Sequence, residues 1–294
     1  MDRKTFLKRG IAGAGALAAT GIAANAIEHA NDELLPIPSQ SQVGFNHLPN
    51  TKDTLKSNMV LHRADSRGQA DHGWLKAKHT FSFANYYHPD RMHFGVLRVL
   101  NDDCIAGGMG FGTHPHDNME IITIPLEGTV GHRDSMGNSG TIKRGEVQVM
   151  SAGTGIQHSE MNHEQHKDLK LLQIWLFPNK QSVTPRYDQL VLPARKDNEF
   201  QQILSPNSDD AGVWIHQNAW FHMINLKAAH TAQYNLKSPS GNGVYLFVIS
   251  GTLDIEGETL RDRDGLGIWS VNEMQLTSQT DAEVLIMEVP MSLS

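Results

Sequence analysis

His114 and His116 are separated by one residue, Pro115, and His158 and Glu160 by one residue, Ser159. On an extended strand, side chains two apart project to the same side, so each pair aims two donors in one direction. Neutral imidazole suits Fe, Zn, Ni or Cu, and a carboxylate adds a hard oxygen. A fold that lays the two strands side by side therefore gathers three imidazoles and one carboxylate around one divalent metal. Such a set leaves one or two positions open on a metal that takes five or six ligands, and an open position separates a reactive site from a structural one. The flanking residues sharpen the pattern. Gly108 stands before the first pair, Glu120 follows His116 after three residues, and Gly153-Thr154-Gly155 forms a turn ahead of the second pair. Pro115 lacks a ladder donor, which predicts a strand end or a bulge beside the site.

The elements that position these residues are strands. From Met59 onward, short apolar runs alternate with Gly, Asn, Asp and Pro, and almost nothing has helical period. Strands are expected over Phe94–Leu100, Met119–Pro125, Glu146–Met150, Leu169–Leu176, Trp220–Leu226, Val244–Ile249 and Val284–Val289. Leu126-Glu127-Gly128-Thr129-Val130 is echoed by Ile249-Ser250-Gly251-Thr252-Leu253, and each is followed by a glycine that opens a further strand, Gly145 and Gly265. The repeat describes half of a jelly roll, twice over. It predicts an all-β chain of two tandem barrels: 59–178 with the metal site, and 179–294 without one, bridged by Pro178–Pro193. His216, His222 and His230 lack the H-x-H grouping and read as packing or surface residues. Cys104, the sole cysteine, excludes an intrachain disulfide and any C-x-x-C site and reads as a small buried hydrophobe.

Residues 1–26 read as an export signal: a basic start, an apolar stretch from Ile11 to about Ala24, then Ala24-Asn25-Ala26, suited to a signal peptidase. Asp2-Arg3-Lys4-Thr5-Phe6-Leu7-Lys8 is similar to a twin-arginine signal, with Lys4 in place of the second arginine. The expected destination is the periplasm, with the cytoplasm as the alternative, and no stable membrane anchor is expected. Residues 27–58, rich in Pro and polar side chains, read as a flexible lead-in. The net charge is −7; residues 1–26 contribute +3 through four basic side chains and Asp2, leaving −10 on the rest. An acidic chain without a Lys/Arg run lacks the footprint that phosphate backbones require, so nucleic acid is not an expected partner.

Several longer motifs together resemble the pirin family. They are Gly110-Phe111-Gly112-Thr113-His114-Pro115-His116, Leu126-Glu127-Gly128-Thr129, His132-Arg133-Asp134-Ser135 and Gly153 through Met161. To these are added Lys78 through Tyr86, Ile174-Trp175-Leu176 and Pro185-Arg186-Tyr187. The resemblance spans roughly residues 59–292 and is nearest to the quercetin 2,3-dioxygenase-like bacterial members. It implies a bicupin with one metal, usually Fe(II), with Zn, Ni, Cu or Mn as alternatives. The ligands it implies are His114, His116, His158 and Glu160. Glu120 sits where many other cupins place a ligand carboxylate and is expected to orient a ligand imidazole instead. Asp117-Asn118-Met119 replaces the Arg-Gly-Phe common in the family, a change expected at the pocket mouth. The implied activity is an oxidoreductase opening a flavonol or related enol with O₂ and releasing carbon monoxide. Glu160 is then the general base, and Trp74, Phe81, Phe83 and Tyr86 are candidate walls for an aromatic substrate. The chain is expected to act as a monomer. A non-enzymatic metal- or redox-sensing protein is the alternative.

Overall fold

The computed structural model describes residues 58–292. The expected export signal, and all of the expected lead-in except Asn58, lie outside the described residues. Among the described residues the chain is strand after strand, interrupted by one 3-10 turn at Ala64–Ser66. The first strands are β1 (Met59–His62), β2 (Gly68–Asp71), β3 (Leu75–His79), β4 (Leu97–Ile105), β5 (Gly110–His116) and β6 (Glu120–Glu127). Next come β7 (Thr129–Asp134), β8 (Ser139–Lys143), β9 (Glu146–Ser151), β10 (Ile156–Asn162), β11 (Leu169–Leu176) and β12 (Arg186–Val191). The second half adds β13 (Gln201–Ser205), β14 (Val213–Trp214), β15 (Trp220–Leu226), β16 (Thr231–Asn235) and β17 (Asn242–Ser250). It closes with β18 (Leu253–Ile255), β19 (Glu258–Leu260), β20 (Gly265–Trp269), β21 (Glu273–Ser278) and β22 (Ala282–Pro290).

These strands build two cupin barrels, each from one seven-stranded and one four-stranded sheet. The first barrel has the orders β12-β9-β6-β11-β4-β3-β2 and β5-β10-β7-β8. The second has β1-β20-β17-β22-β15-β13-β14 and β16-β21-β18-β19. The repeated turns noted in the sequence fall at corresponding places, with Gly128 at φ 82° and Gly251 at φ 99°, where a side chain would be strained.

The expected boundaries at 59–178 and 179–294 need correction, because the barrels exchange strands. β1 pairs with β20 of the second barrel (Met59 opposite Ile268), although it precedes the whole first barrel in the chain. β12 pairs with β9 of the first barrel (Arg186 opposite Ser151), although it follows Pro178. Each strand finds a free sheet edge in the other half, and no local pattern marks that choice.

The two seven-stranded sheets pack on each other through one shared core. In β17, Tyr245, Phe247 and Ile249 join Phe221, Met223, Leu285 and Met287 against Ile122, Ile124, Leu172 and Ile174 of the first barrel. The alternate residues Val244, Leu246 and Val248 fill the second barrel with Val284, Ile286, Tyr234 and Leu276. Both faces of β17 are therefore dry, which is why its sequence is a continuous apolar run instead of an alternating one. Burying a side chain such as Phe221 or Phe247 stabilises the pair by roughly 1.5–3 kcal/mol each.

The inner face of the first barrel is different. Between Ile122 and Ile124, and between Leu172 and Ile174, the chain places Thr123 and Gln173, which pair across β6 and β11 and face the lumen. Polar side chains in the middle of two buried strands cost stability unless they are hydrogen-bonded, and here they meet the candidate site.

Candidate metal centre

β5 and β10 are antiparallel neighbours with His158 directly opposite His114, so the two H-x-H/E segments lie side by side. A register shift between His158 and Glu160 sets Glu160 opposite Phe111 on one side, while on the other side Glu160 faces His132 of β7. Pro115 lies one residue before the end of β5, the edge strand of its sheet, the kind of position to which proline is confined in sheets.

The imidazoles of His114, His116 and His158 converge, with one ligand nitrogen from each lying within 4.8 Å of the others. The ring centroids are 4.4 Å apart for His114 and His158 and 4.9 Å for each of the other two pairs. Nδ1 of His114 lies 2.8 Å from the Gly112 carbonyl; a carbonyl only accepts, so Nδ1 carries the proton and Nε2 keeps its lone pair. Nε2 of His116 and both ring nitrogens of His158 are buried without a hydrogen-bond partner. Burial lowers His116 to about 2 and His158 to about 3, helped in each case by the neighbouring imidazoles. Both rings are neutral at physiological pH, the form that binds metal. Orphaned nitrogens in such number are rare in a protein interior, and a cation with nitrogen preference would satisfy them.

Glu160 is 2% exposed and held by two donors. The Thr123 hydroxyl lies 3.0 Å from Oε1, and the Gln173 amide donates to Oε2 at 2.6 Å. Each carboxylate oxygen keeps a further lone pair. Glu160 groups most closely with His158 and His132, the three ligand atoms lying within 4.8 Å of one another, so His158 is common to two overlapping clusters. Asp103 faces the same lumen, and burial, followed by the charges of Asp102 and Glu160, raises its carboxyl to about 8.

Glu120 does not orient a ligand imidazole. It accepts a 2.7 Å bond from the Ser151 hydroxyl and lies close to Arg186 and the His216 backbone N–H. Thr123, three residues on, faces the lumen; an odd offset along a strand puts Glu120 on the opposite face, toward the second barrel. Arg186 stacks over the Trp214 ring at 3.9 Å and donates to the Trp214 carbonyl, so this cluster joins the barrels instead of serving the imidazoles.

Residues 60–176 match the pirin family model, and residues 202–289 match the model of the quercetinase C-terminal cupin domain. The chain belongs to the pirin family. Quercetin 2,3-dioxygenase of Escherichia coli strain K12 is 44% identical over 232 residues, covering 79% of this pirin and 99% of the relative. The crystal structure of YhhW from Escherichia coli aligns with a TM-score of 0.76 at 43% identity, over 79% of this pirin and 97% of that chain. Bacterial pirin YhhW in complex with nickel(II) aligns with a TM-score of 0.74 at 42% identity, over 79% and 99%.

The four aromatic residues expected as substrate walls separate in this pirin. Phe81 is not a wall: it is 1% exposed and packs edge-on against His62 and Tyr245 in the shared core. Phe83 is half-buried 5.4 Å from Trp175, whose ring lies 4.8 Å from His116. Trp74 meets Phe111 at 5.5 Å, and Phe111 is 6.4 Å from His114. Tyr86 stacks on His79 at 6.5 Å, a further ring away from the imidazoles. Two aromatic pairs thus approach the centre from different sides. Of the C-terminal histidines, His222 is buried against the Tyr234 hydroxyl, which also donates to Glu288.

Several further residues belong to the site. Thr123 and Gln173 interrupt apolar runs, a signal that could have marked them. His132 and Asp134 form an H-x-D pair on β7, and Tyr187, on the exchanged strand β12, stacks on His132 at 4.7 Å and 28°. Nothing in the order of the chain announces the Tyr187 contact.

Proposed function

We propose that this pirin is a metal-dependent dioxygenase that opens a flavonol or related enol with O₂. Its metal, Fe(II), is held by His114, His116, His158 and Glu160. The observation that carries this reading is the convergence of three imidazoles with free ring nitrogens beside a carboxylate clamped by Thr123 and Gln173. Three neutral nitrogens and one oxygen fit a divalent first-row metal. When bound, the metal supplies Lewis acidity that lowers the pKa of an enolic hydroxyl, together with the redox chemistry that O₂ requires.

The chain's own residues do the rest. Glu160 accepts the enolic proton on a carboxylate oxygen while Thr123 and Gln173 hold it in place. His114, the least buried of the three imidazoles, marks the side from which substrate enters. Trp74 with Phe111, and Phe83 with Trp175, offer flat apolar faces to an aromatic substrate and exclude water from the proton transfer.

The test is elemental analysis of the purified chain, then oxygen uptake with quercetin after Fe(II) reconstitution. One metal per chain with substrate-dependent uptake, both lost in His114→Ala, is expected. Full metal occupancy with full turnover in Glu160→Gln would remove Glu160 from the proton step. Stoichiometric metal without uptake would transfer the assignment to a non-enzymatic metal- or redox-sensing protein. Export to the periplasm and action as a monomer belong to the same proposal. Cell fractionation and size-exclusion chromatography test them.

A further inference from the structure

A ligand imidazole uses one nitrogen for metal and must place the N–H of the other. His114 gives its N–H to the Gly112 carbonyl. His158 is 1% exposed, and neither of its nitrogens has a partner. A buried ligand imidazole ordinarily donates its second N–H to a carboxylate, a carbonyl or water.

His132 stands beside it on the adjacent strand. The two rings are 5.4 Å apart, and β7 and β10 pair with His158 opposite Asp134 and Glu160 opposite His132. Tyr187 fixes the His132 ring from the other side. Nε2 of His132 lies 3.4 Å from Oδ2 of Asp134, whereas Nδ1 is buried without a partner. Asp134 is itself immobilised, accepting from the backbone N–H groups of Met136 and Asn138 and from the Asn138 amide. A carboxylate beside Nε2 stabilises the tautomer protonated there, which leaves Nδ1 as an acceptor. An orphaned acceptor on His132 and an orphaned N–H on His158 therefore lie in neighbouring buried rings on paired strands, without a hydrogen bond between them in the metal-free chain.

We infer that His132 is the positioning residue for His158 once metal is bound: the non-ligating N–H of His158 then closes onto Nδ1 of His132, while Nε2–H of His132 donates to Asp134 as it already does in the metal-free chain. The chain fixes the tautomer and ring angle of His158 and raises its basicity, as outer hydrogen bonds do at metal sites. The strand exchange enters here, because Tyr187 reaches His132 only from β12. The inference rests on the proposed metal reading.

The experiment uses the mature chain loaded with Zn(II). Zinc affinity is measured by chelator competition, and the histidine rings are observed by ¹⁵N–¹H NMR. The wild-type protein is expected to bind one zinc and to show a slowly exchanging His158 N–H coupled to a His132 nitrogen. His132→Phe, which keeps an aromatic ring on Tyr187, should lose that resonance and bind zinc about 10–100-fold more weakly at unchanged stoichiometry. His132→Gln, which restores an acceptor, should recover part of the loss, and adding Asp134→Asn to His132→Phe should cost nothing further. Wild-type affinity in His132→Phe, or the absence of any His158–His132 coupling in the wild-type spectrum, overturns the inference. A direct ¹¹³Cd–¹⁵N coupling to a His132 nitrogen when cadmium replaces zinc also overturns it, by making His132 a ligand. A folded wild-type chain that binds no zinc overturns the metal reading itself, a result distinct from the others. The wild-type spectrum decides the matter even where a variant fails to fold.

Discussion

Replacing Glu120 by glutamine should remove most of one component of the protein's pH-dependent stability. Glu120 is 1% exposed on the face of β6 turned to the second barrel. Burial raises its carboxyl from 4.5 to about 7, against the opposing pull of the Ser151 hydroxyl, Arg186 and the His216 backbone N–H. A carboxyl with a higher pKa folded than unfolded binds its proton more tightly in the native state. Its contribution is therefore complete below pH 4.5 and is lost as the pH rises through about 7. At about 1.4 kcal/mol per pKa unit, the loss between about pH 5 and about pH 8 comes to about 2–3 kcal/mol. Glutamine resembles the protonated acid and can still accept from Ser151, so the variant should lack this slope. Buried histidines act in the opposite sense: burial lowers His62 to about 3 and His222 to about 4, so their contribution is present above the usual histidine range and lost as the pH falls. They are common to both proteins and cancel in the difference. Urea titrations of metal-free wild type and Glu120→Gln across this pH range give that difference directly. A difference constant to within about 0.5 kcal/mol would refute the claim that burial governs Glu120. A wild type that gains on the variant as the pH rises would show that Arg186 outweighs burial.

Two further outcomes concern the site and the turn that feeds it. Gln173→Leu removes the 2.6 Å bond to Glu160 and should weaken divalent-metal binding about 10–100-fold in a chelator competition; unchanged affinity would show that Thr123 alone suffices to hold the carboxylate. Gly153→Ala should lower stability by about 1–3 kcal/mol in urea, because φ there is 50° and an added Cβ would collide with the Val183 carbonyl; a wild-type midpoint would mean that the turn ahead of His158 yields freely.

Much of the chemistry was legible before any fold was known, because it is written at short range. An i, i+2 spacing puts His114 and His116, and separately His158 and Glu160, on one side of a strand whatever the rest of the chain does. The turn glycines and the alternation of short apolar runs announce a β protein in the same local way. Leu169–Leu176 and Trp220–Leu226 begin and end where the pattern places them, whereas β4 runs from Leu97 to Ile105 instead of Phe94 to Leu100. Near Phe94 the chain is apolar because it packs in the shared core, and its backbone makes an isolated bridge to Leu97 outside the named strands.

What lay beyond the sequence is what depends on sheet order and register. Glu120 and Thr123 are both polar residues in one apolar strand, yet one serves the junction between barrels and the other reaches Glu160, 37 residues further on. Their parity shows that they face opposite ways, but not which face looks into the lumen. That is settled by the packing of the seven-stranded sheets on each other. The same packing explains why Phe81, an aromatic residue ahead of the ligands, is core, while Trp175 stands beside His116. The exchange of β1 and β12 follows from edges that exist only once both sheets have formed, and the contact of Tyr187 with His132 follows from that exchange. Local spacing sets which way a side chain points along its own strand; long-range pairing sets what it meets there.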